Sequence, residues 1–201
     1  MAPRVVILDY GSGNMRSAER ALARAGGDVT VTPDLDAAAA ADGLVVPGVG
    51  AYAACMAGVD ALGAGPVIAE RAAAGRPVLG ICVGAQILFE YGDEHGTVTK
   101  GLGLFPGGVT RLPAKRLPHI GWNTVDPAPG STLFAGLPPG TRFYFVHSYA
   151  ANTTGPGVTT CTHGAPFLAA IERAAVSACQ FHPEKSGDAG ATLLRNWVGS
   201  L

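Results

Sequence analysis

The chain has 201 residues, of which 48% are hydrophobic and 14% charged, with a formal net charge of −1 at pH 7. This length predicts a single domain, residues 1–201, with a sizeable buried core. The nearly neutral charge argues against binding to nucleic acids or acidic membrane surfaces. No apolar run reaches the 18 residues of a membrane span and no leader pattern follows Met1, so we expect a soluble, cytoplasmic protein.

The first half of the chain alternates short apolar strands with helical segments. In chain order we predict a strand at residues 5–8, a helix at 15–25, a strand at 29–32, a helix or helix end in the Ala run 37–41, a strand at 44–46, a helix from near Tyr52, a helix at 67–74, a strand at 77–81 and a helix at 83–91. Near-continuous apolar strands between helices predict an α/β fold with an open, largely parallel sheet flanked by helices.

The second half of the chain is richer in strands. The pattern predicts strands at residues 109–112, 122–125, 143–149, 158–162, 167–171 and 176–181, then a helix at 188–198. Turn residues such as Pro127-Ala128-Pro129-Gly130 separate several of these strands. We therefore expect antiparallel additions to the parallel sheet.

A nucleophile motif, Gly80-Ile81-Cys82-Val83-Gly84, lies between a predicted strand and the helix that follows it. A small-x-nucleophile-x-small pattern at such a junction forces a sharp turn, which pushes the nucleophile out at the carboxyl end of the sheet. Glycine at both flanking positions tolerates strained dihedrals and avoids collision with neighbouring backbone. The amides and dipole of the following helix favour an anion, and therefore a thiolate, at Cys82.

A base and a carboxylate follow one hundred residues later, in Phe181-His182-Pro183-Glu184. Pro183 biases His182 towards an extended conformation, which places the side chains of His182 and Glu184 on one side of the chain. Glu184 then orients the imidazole and His182 activates Cys82, the roles of a catalytic triad. Either motif alone has a structural explanation, whereas both together favour nucleophilic catalysis.

Attack on a carbonyl also needs backbone donors for the oxyanion that forms. The amide of Val83, just after the nucleophile, is one predicted donor. The loop Gly48-Val49-Gly50 follows a parallel strand, and we expect Val49 or Gly50 to supply a second. Glycine lets this loop adopt more than one backbone conformation, so the second donor is a candidate point of control. Gln86 lies one helical turn beyond Cys82 and is expected to face the same pocket.

The remaining cysteines and histidines have simpler interpretations. Cys55, Cys161 and Cys179 are expected to be reduced, buried small hydrophobes. We interpret His119 and His163 as hydrogen-bonded structural groups. No metal site is predicted, because zinc sites need three or four convergent ligands. The turn at residues 11–14 lacks a full G-x-G-x-x-G pattern, so contact with a partner protein is at least as good an interpretation as phosphate binding.

The triad motifs resemble those of the class I, or triad, glutamine amidotransferases, which have a flavodoxin-like fold. Within that family the chain is similar to the glutaminase subunits of imidazole glycerol phosphate synthase. Five motifs in chain order carry this second likeness: Asp9-Tyr10-Gly11-Ser12-Gly13-Asn14, Pro47-Gly48-Val49-Gly50-Ala51, His119-Ile120-Gly121-Trp122-Asn123, Tyr144-Phe145-Val146-His147-Ser148-Tyr149 and Phe181-His182-Pro183-Glu184-Lys185-Ser186.

The resemblance implies hydrolysis of glutamine through a cysteinyl thioester, without a cofactor. It also implies a separate cyclase subunit, a (β/α)8 barrel, that uses the ammonia to make imidazole glycerol phosphate and an aminoimidazole carboxamide ribonucleotide. The implied glutamine-binding residues are Gly48, Gln86, Ser148 and Tyr149. The implied residues of the partner interface are Gly11, Gly13, Asn14, Tyr144 and Lys185.

Two other classes of function fit the same fold. A stand-alone hydrolase or cysteine protease would need no partner, but Gln86, the Ser148-Tyr149 pair and Lys185 argue against it. A non-catalytic binding protein would not need a triad, and the intact Cys82, His182 and Glu184 argue against that. The resemblance therefore favours a glutaminase.

Overall fold

The computed structural model describes residues 1–201 and contains thirteen strands, six α-helices and one 3-10 helix, Pro183–Lys185. The strands are β1 (Arg4–Leu8), β2 (Asp28–Thr32), β3 (Gly43–Gly48), β4 (Val78–Cys82), β5 (Phe89–Glu94), β6 (Thr97–Lys100), β7 (Phe105–Arg111), β8 (His119–Thr124), β9 (Arg142–His147), β10 (Tyr149–Ala151), β11 (Val158–His163), β12 (Ala165–Arg173) and β13 (Val176–Cys179). The helices are α1 (Met15–Arg24), α2 (Leu35–Ala40), α3 (Tyr52–Leu62), α4 (Ala64–Ala73), α5 (Val83–Gln86) and α6 (Gly187–Gly199).

The main sheet has seven strands in the order β11-β12-β13-β4-β3-β1-β2. The five strands from β13 to β2 are parallel, and β12 and β11 extend the sheet antiparallel. All residues of β3 and β4 are buried, as expected of central strands covered on both faces. The predicted α/β class with a largely parallel sheet is confirmed. The carboxyl ends of β3, β4 and β13 meet at one edge.

Three of the later strands, β11, β12 and β13, join the main sheet and the rest do not, which corrects part of the predicted arrangement of the second half. The other strands form a four-stranded sheet, β10-β7-β5-β6, and a separate hairpin, β8-β9. The predicted single strand at residues 143–149 is in fact β9 and β10, which separate at Ser148. This break lets one segment pair first with β8 and then with β7.

The predicted helix at residues 83–91 was wrong beyond its first turn. Helix α5 ends at Gln86, and strand β5 begins at Phe89. His95 and Gly96 both have positive φ, 54° and 78°, and form the two-residue loop of the β5-β6 hairpin. Positive φ at both positions matches the right-handed twist of paired strands. This turn therefore selects strand over helix for the preceding residues.

A single hydrophobic cluster of 51 buried residues joins the sheets and helices. No individual helix is both long enough and apolar enough to cross a bilayer, and only the bent pair α3 and α4 reaches that length and composition together. Helices α3 and α4 contribute Tyr52, Val59 and Ile68 to the core, and each of these is fully buried.

Candidate active site

Cys82 is the last residue of β4 and stands directly before α5. Its backbone has φ 56° and ψ −116°, a region that side-chain-bearing residues rarely adopt. Such strain persists only where the surrounding structure imposes it, and it concentrates at functional sites. The sharp turn predicted from the sequence is therefore present, with the strain on the nucleophile itself.

The glycines around Cys82 are required for room and not for unusual dihedrals. Neither Gly80 nor Gly84 has positive φ, which corrects part of the predicted reason for them. A Cβ at Gly84 would lie 2.0 Å from the carbonyl oxygen of Val46, and one at Gly80 would lie 2.7 Å from Cα of Ala85. The end of β3 thus packs backbone against backbone on the turn.

His182 and Glu184 form a buried pair at the carboxyl end of β13. Nδ1 of His182 lies 2.8 Å from Oε1 of Glu184, and the two side chains are only 4% and 3% exposed. A carboxylate accepts, so Nδ1 donates and Nε2 is left for the nucleophile. His182 and Cys82 line the same cavity. The structure therefore brings together the three predicted triad residues.

The electrostatics of the pair favour a charged imidazole. Burial disfavours the imidazolium, but the hydrogen bonds and charges of Cys82 and Glu184 outweigh burial and raise the pKa of His182 to about 9. A cationic His182 beside the thiol stabilises negative charge on Sγ, the attacking form of cysteine. Glu184 keeps one oxygen, Oε2, buried without a partner.

The triad opens into a cavity of about 250 Å³. Nine predicted site residues line it, namely Val49, Gly50, Cys82, Val83, Gln86, Ser148, Tyr149, His182 and Lys185. Three others were not predicted, namely Glu94, Val146 and His147. Gly48 lies apart from this lining, because it packs beneath the turn, where a Cβ would be 2.3 Å from the amide nitrogen of Gly84.

Gln86 is buried and held from two sides. Its Nε2 donates to the carbonyl oxygen of Tyr149 at 2.8 Å and to Oε1 of Gln180 at 2.9 Å, while its own Oε1 has no partner. Gln180 in turn points Nε2 at Sγ of Cys82 at 4.0 Å. Gln180 was not predicted from the sequence, although its position two residues before His182 places both side chains on the same side of an extended segment.

The second predicted oxyanion donor is bound elsewhere in this structure. The amide of Val49 donates to Oγ of Ser12 at 3.2 Å, and that hydroxyl donates to the carbonyl oxygen of Val49 at 2.9 Å. Sγ of Cys55 lies 3.2 Å from the same hydroxyl. Gly50, with φ 85°, provides a flexible joint beside Val49. The side chain of Ser12 thus holds both polar groups of Val49.

The residues predicted for a partner interface are all partly or fully exposed. Lys185 is exposed and lines the cavity, and Gly11 and Asn14 are exposed on the turn before α1. Tyr144 is half-buried, with its ring 6.0 Å from that of the exposed Trp122. The carbonyl of Tyr144 accepts from the amide of His182 at 3.0 Å, which links the surface strand β9 to the triad. Gly13 has φ 136° and packs on Pro47, directly before the Val49 loop.

The other three cysteines are buried free thiols. Burial raises the pKa of Cys161 to about 12, and it also raises the pKa of Cys55 and of Cys179. A raised pKa keeps these thiols protonated and unreactive at neutral pH. Cys82 is therefore the cysteine that combines a strained backbone, an adjacent imidazole and a cavity.

The fold and the triad define an amidotransferase. The family model for class-I glutamine amidotransferases matches residues 6–200. Two solved structures share the fold at 19% sequence identity and a TM-score of 0.75. One is a glutamine amidotransferase, and the alignment covers 98% of this chain and 99% of that one. The other is PurLQS from Thermotoga maritima, and the alignment covers 100% of this chain and 99% of that one.

Curated relatives give a narrower family. The imidazole glycerol phosphate synthase subunit HisH of Mycolicibacterium paratuberculosis is 62% identical over 98% of both chains. The subunit of the same name from Thermobifida fusca is 59% identical over the whole of both chains. The chain therefore belongs to the class-I glutamine amidotransferases and, among them, to the family of imidazole glycerol phosphate synthase subunit HisH.

Proposed function

We propose that the chain hydrolyses glutamine to glutamate and ammonia through a thioester on Cys82, as the glutaminase subunit of an imidazole glycerol phosphate synthase. The observation that carries the proposal is the strained Cys82 beside the buried pair of His182 and Glu184, whose Nδ1–Oε1 distance is 2.8 Å. Family membership at about 60% identity supports the same activity.

The triad performs the reaction in two halves. His182 takes the thiol proton, and Sγ attacks the side-chain carbonyl carbon of glutamine, so that the C=O electrons move to oxygen. When the tetrahedral intermediate collapses, the C–N bond breaks and His182 gives its proton to the departing ammonia. Water then attacks the thioester with His182 as the base, which releases glutamate and restores the thiol. Glu184 holds the imidazole in the tautomer that both halves need.

The oxyanion needs two aligned donors. The amide of Val83 follows the nucleophile, and the second donor is the amide of Val49 or Gly50. In the conformation described here, the amide of Val49 is hydrogen-bonded to Ser12. We therefore assign this conformation to a resting state, and activity requires the loop to turn. A missing oxyanion donor costs roughly 3–4 kcal/mol of transition-state stabilisation.

The glutamine is held by residues of the cavity wall. Gln86 offers the unpaired Oε1, which needs a donor such as the substrate's ammonium or amide group. Ser148 and Tyr149 provide the opposite wall, at the point where β9 passes into β10. Gly48 supports the site by letting β3 approach the turn at Cys82.

A cyclase subunit with a (β/α)8 barrel is the proposed partner and consumer of the ammonia. The names of the relatives describe a subunit, which supports a partner of this kind. The proposed docking surface is formed by the exposed Gly11, Asn14 and Lys185 together with the half-buried Gly13 and Tyr144. The single hydrophobic cluster supports one domain, residues 1–201, that docks as a unit.

Glutaminase assays with and without the cyclase subunit test this function. We expect a low rate for the free chain, a higher rate in the complex, and glutamine-dependent formation of imidazole glycerol phosphate by the complex. A free chain that hydrolyses amides at the full rate would favour the stand-alone hydrolase. A complex that uses added ammonia but never glutamine would favour the non-catalytic alternative.

A further inference from the structure

Two histidines outside the triad form a buried pair at the wall of the cavity, which His147 itself lines. His119 and His147 are direct cross-strand partners in the β8-β9 hairpin, and Nδ1 of His119 is 3.0 Å from Nε2 of His147. Both residues are buried, at 4% and 7% exposure. His119 lies between the rings of Phe145 and His163, with centroid separations of 4.8 and 4.2 Å. The hydrogen bonds around the pair determine where each proton lies.

The first constraint comes from the cavity side. Nδ1 of His147 lies 3.0 Å from the carbonyl oxygen of Tyr149. A carbonyl has no proton to give, so Nδ1 of His147 carries the proton and Nε2 of the neutral ring accepts. Nδ1 of His119 therefore donates to His147, and Nε2 of His119 is left as an acceptor.

The second constraint comes from the other end and agrees with the first. Asn123 accepts at Oδ1 from the amide of Thr124 at 2.9 Å and donates from Nδ2 to the carbonyl of Thr162 at 3.0 Å, which fixes the orientation of its amide. The same Nδ2 lies 3.2 Å from Nε2 of His119, which must accept. Both rings are therefore neutral, and burial accordingly lowers the pKa of His119 to about 4 and that of His147 to about 3.

The chain of hydrogen bonds continues to the nucleophile. The carbonyl oxygen of Tyr149 has two lone pairs, and it accepts from His147 and from Nε2 of Gln86. Gln86 donates its second proton to Gln180, which points its own amide at Sγ of Cys82. Two sets of donors thus meet at the carbonyl of Tyr149: one comes from Asn123, near the surface, through the histidine pair, and the other is Gln86, which also donates towards Gln180 on the cavity floor.

We propose that Asn123, His119 and His147 are positioning residues that fix the carbonyl of Tyr149 and, through it, the side chain of Gln86 for glutamine binding. The inference rests on the proposed glutaminase function. Each proton of the histidine pair is committed within the sequence of hydrogen bonds, so His147 is not a base for Cys82. Loss of the pair weakens glutamine binding and leaves the reactivity of Cys82 with His182 in place.

Matched variants of His147 test the proposal in the complex with the cyclase subunit and its nucleotide ligand. Asparagine places its amide nitrogen where Nδ1 lies and keeps the donor to Tyr149, whereas leucine removes it. We expect His147→Leu to raise KM for glutamine about tenfold and His147→Asn less than about threefold, with kcat within about threefold in both. His119→Leu and His119→Asn form a second pair, and we again expect the leucine variant to raise KM for glutamine more than the asparagine variant. This second pair tests the proposal if His147→Leu does not fold.

Two labelling rates separate positioning from general damage. Alkylation of Cys82 by iodoacetamide reports on the thiol and His182 without the glutamine pocket, and we expect it to change less than about twofold in these variants. Labelling by a chloroketone analogue of glutamine should slow in parallel with the rise in KM. His163→Phe is the control, since it keeps the ring against His119 and loses only the contact of Nε2 with the carbonyl of Arg116; its KM should match the native value.

The possible failures are distinguishable. An unchanged KM in both leucine variants, or an equal fall in the two labelling rates, overturns the positioning role. A native complex that does not hydrolyse glutamine overturns the proposed function instead.

Discussion

Two buried polar clusters lie at opposite ends of strands β3 and β4, and they differ in how well their groups are satisfied. At the amino end, Arg71 is 2% exposed and its guanidinium donates to five backbone carbonyls, those of Ala38, Ala39, Ala41, Asp42 and Pro77. Only Nε lacks a partner. At the carboxyl end, Cys82 is strained, and Glu184 and Gln86 each keep a buried oxygen without a partner.

The difference separates stability from function. The arginine closes the carboxyl end of α2, whose amino end is capped by Asp34, so a short Ala-rich helix is held at both ends. Every contact there serves the folded chain alone. In the proposed mechanism a substrate or a moved loop supplies partners for the unpaired oxygens at the other end, and a buried polar group without a partner costs roughly 1–3 kcal/mol. The strained end is therefore the end at which we propose that the chemistry takes place.

The largest expected effect is the loss of the nucleophile. Cys82→Ala should lower glutamine-dependent synthesis by about 10⁴-fold or more, because the thioester cannot form. Ammonia-dependent synthesis by the complex should remain, since the cyclase chemistry does not use Cys82. A glutamine-shaped electrophile should label the native chain once, at Cys82, in a peptide map. Labelling at Cys55, Cys161 or Cys179 would contradict the assignment.

Substitutions of His182 and Glu184 should lower glutaminase activity less than the substitution of Cys82. His182→Ala should lose nearly as much glutaminase activity as Cys82→Ala, because triad members act as a unit, whereas Glu184→Gln should be roughly 10²-fold less damaging. His147→Ala is the comparison variant, and an outcome in which it lost more activity than His182→Ala would show that the base is misassigned.

The pH dependence of Cys82 reactivity tests the role of Glu184. His182 is cationic below its raised pKa of about 9 and neutral above it. The alkylation rate of Cys82 should therefore show a transition near pH 9, because the imidazolium that stabilises negative charge on Sγ is lost there. Glu184 is one of the groups that raise this pKa, so Glu184→Gln should move the transition to lower pH. The measurement is the iodoacetamide rate between pH 5 and 10, and an unmoved transition would contradict the coupling.

The site was predictable where its signals are local. The turn at Cys82 and the pair of His182 and Glu184 follow from patterns of three to five residues and from the parallel strands that carry them. The β5-β6 hairpin was missed because an apolar run after α5 fits both periods, and its turn, His95-Gly96, is not the usual asparagine–glycine pair. Glu94, which lines the cavity, is the last residue of β5 and was missed for the same reason.

The hydrogen bonds that connect Asn123, His119, His147 and Tyr149 were not predictable for a different reason. His119 and His147 are 28 residues apart and meet only because the β8-β9 register sets them opposite each other. A one-residue change of register would move both side chains to other faces of the hairpin. The sequence predicted structural roles for His119 and His163 but none for His147, and the direction of the protons in the pair needs the positions of Tyr149 and Asn123.

At the amino end of β3 and β4, where Arg71 lies, a substitution is expected to change stability alone. Arg71→Met should lower the free energy of unfolding by about 3 kcal/mol or more, because it leaves several buried carbonyls without donors. The control is Arg195→Met, which removes an exposed guanidinium bonded only to Thr192 and should cost less than about 0.5 kcal/mol. Urea unfolding gives the difference. The kcat of the folded Arg71 variant in the complex should match the native value. A large fall in kcat would contradict the view that the Arg71 cluster contributes to stability and not to activity.

The smallest expected effect concerns Ser12, which holds the loop that the proposed mechanism must move. The hydroxyl makes two neutral hydrogen bonds with Val49, together worth about 1–3 kcal/mol, so Ser12→Ala should favour the turned loop by about fivefold or more. We therefore expect the free chain to be nearly inactive, and Ser12→Ala to raise its glutaminase rate about fivefold or more. The rate of the complex with nucleotide ligand should change less than about twofold, because in the proposed mechanism docking near Gly11 and Lys185 turns the loop by itself. Ser17→Ala, on helix α1, serves as the control. Native rates that are equal for the free chain, the complex and the liganded complex would exclude this form of control, and a slower free chain in Ser12→Ala would show that the hydroxyl supports the active loop instead of restraining it.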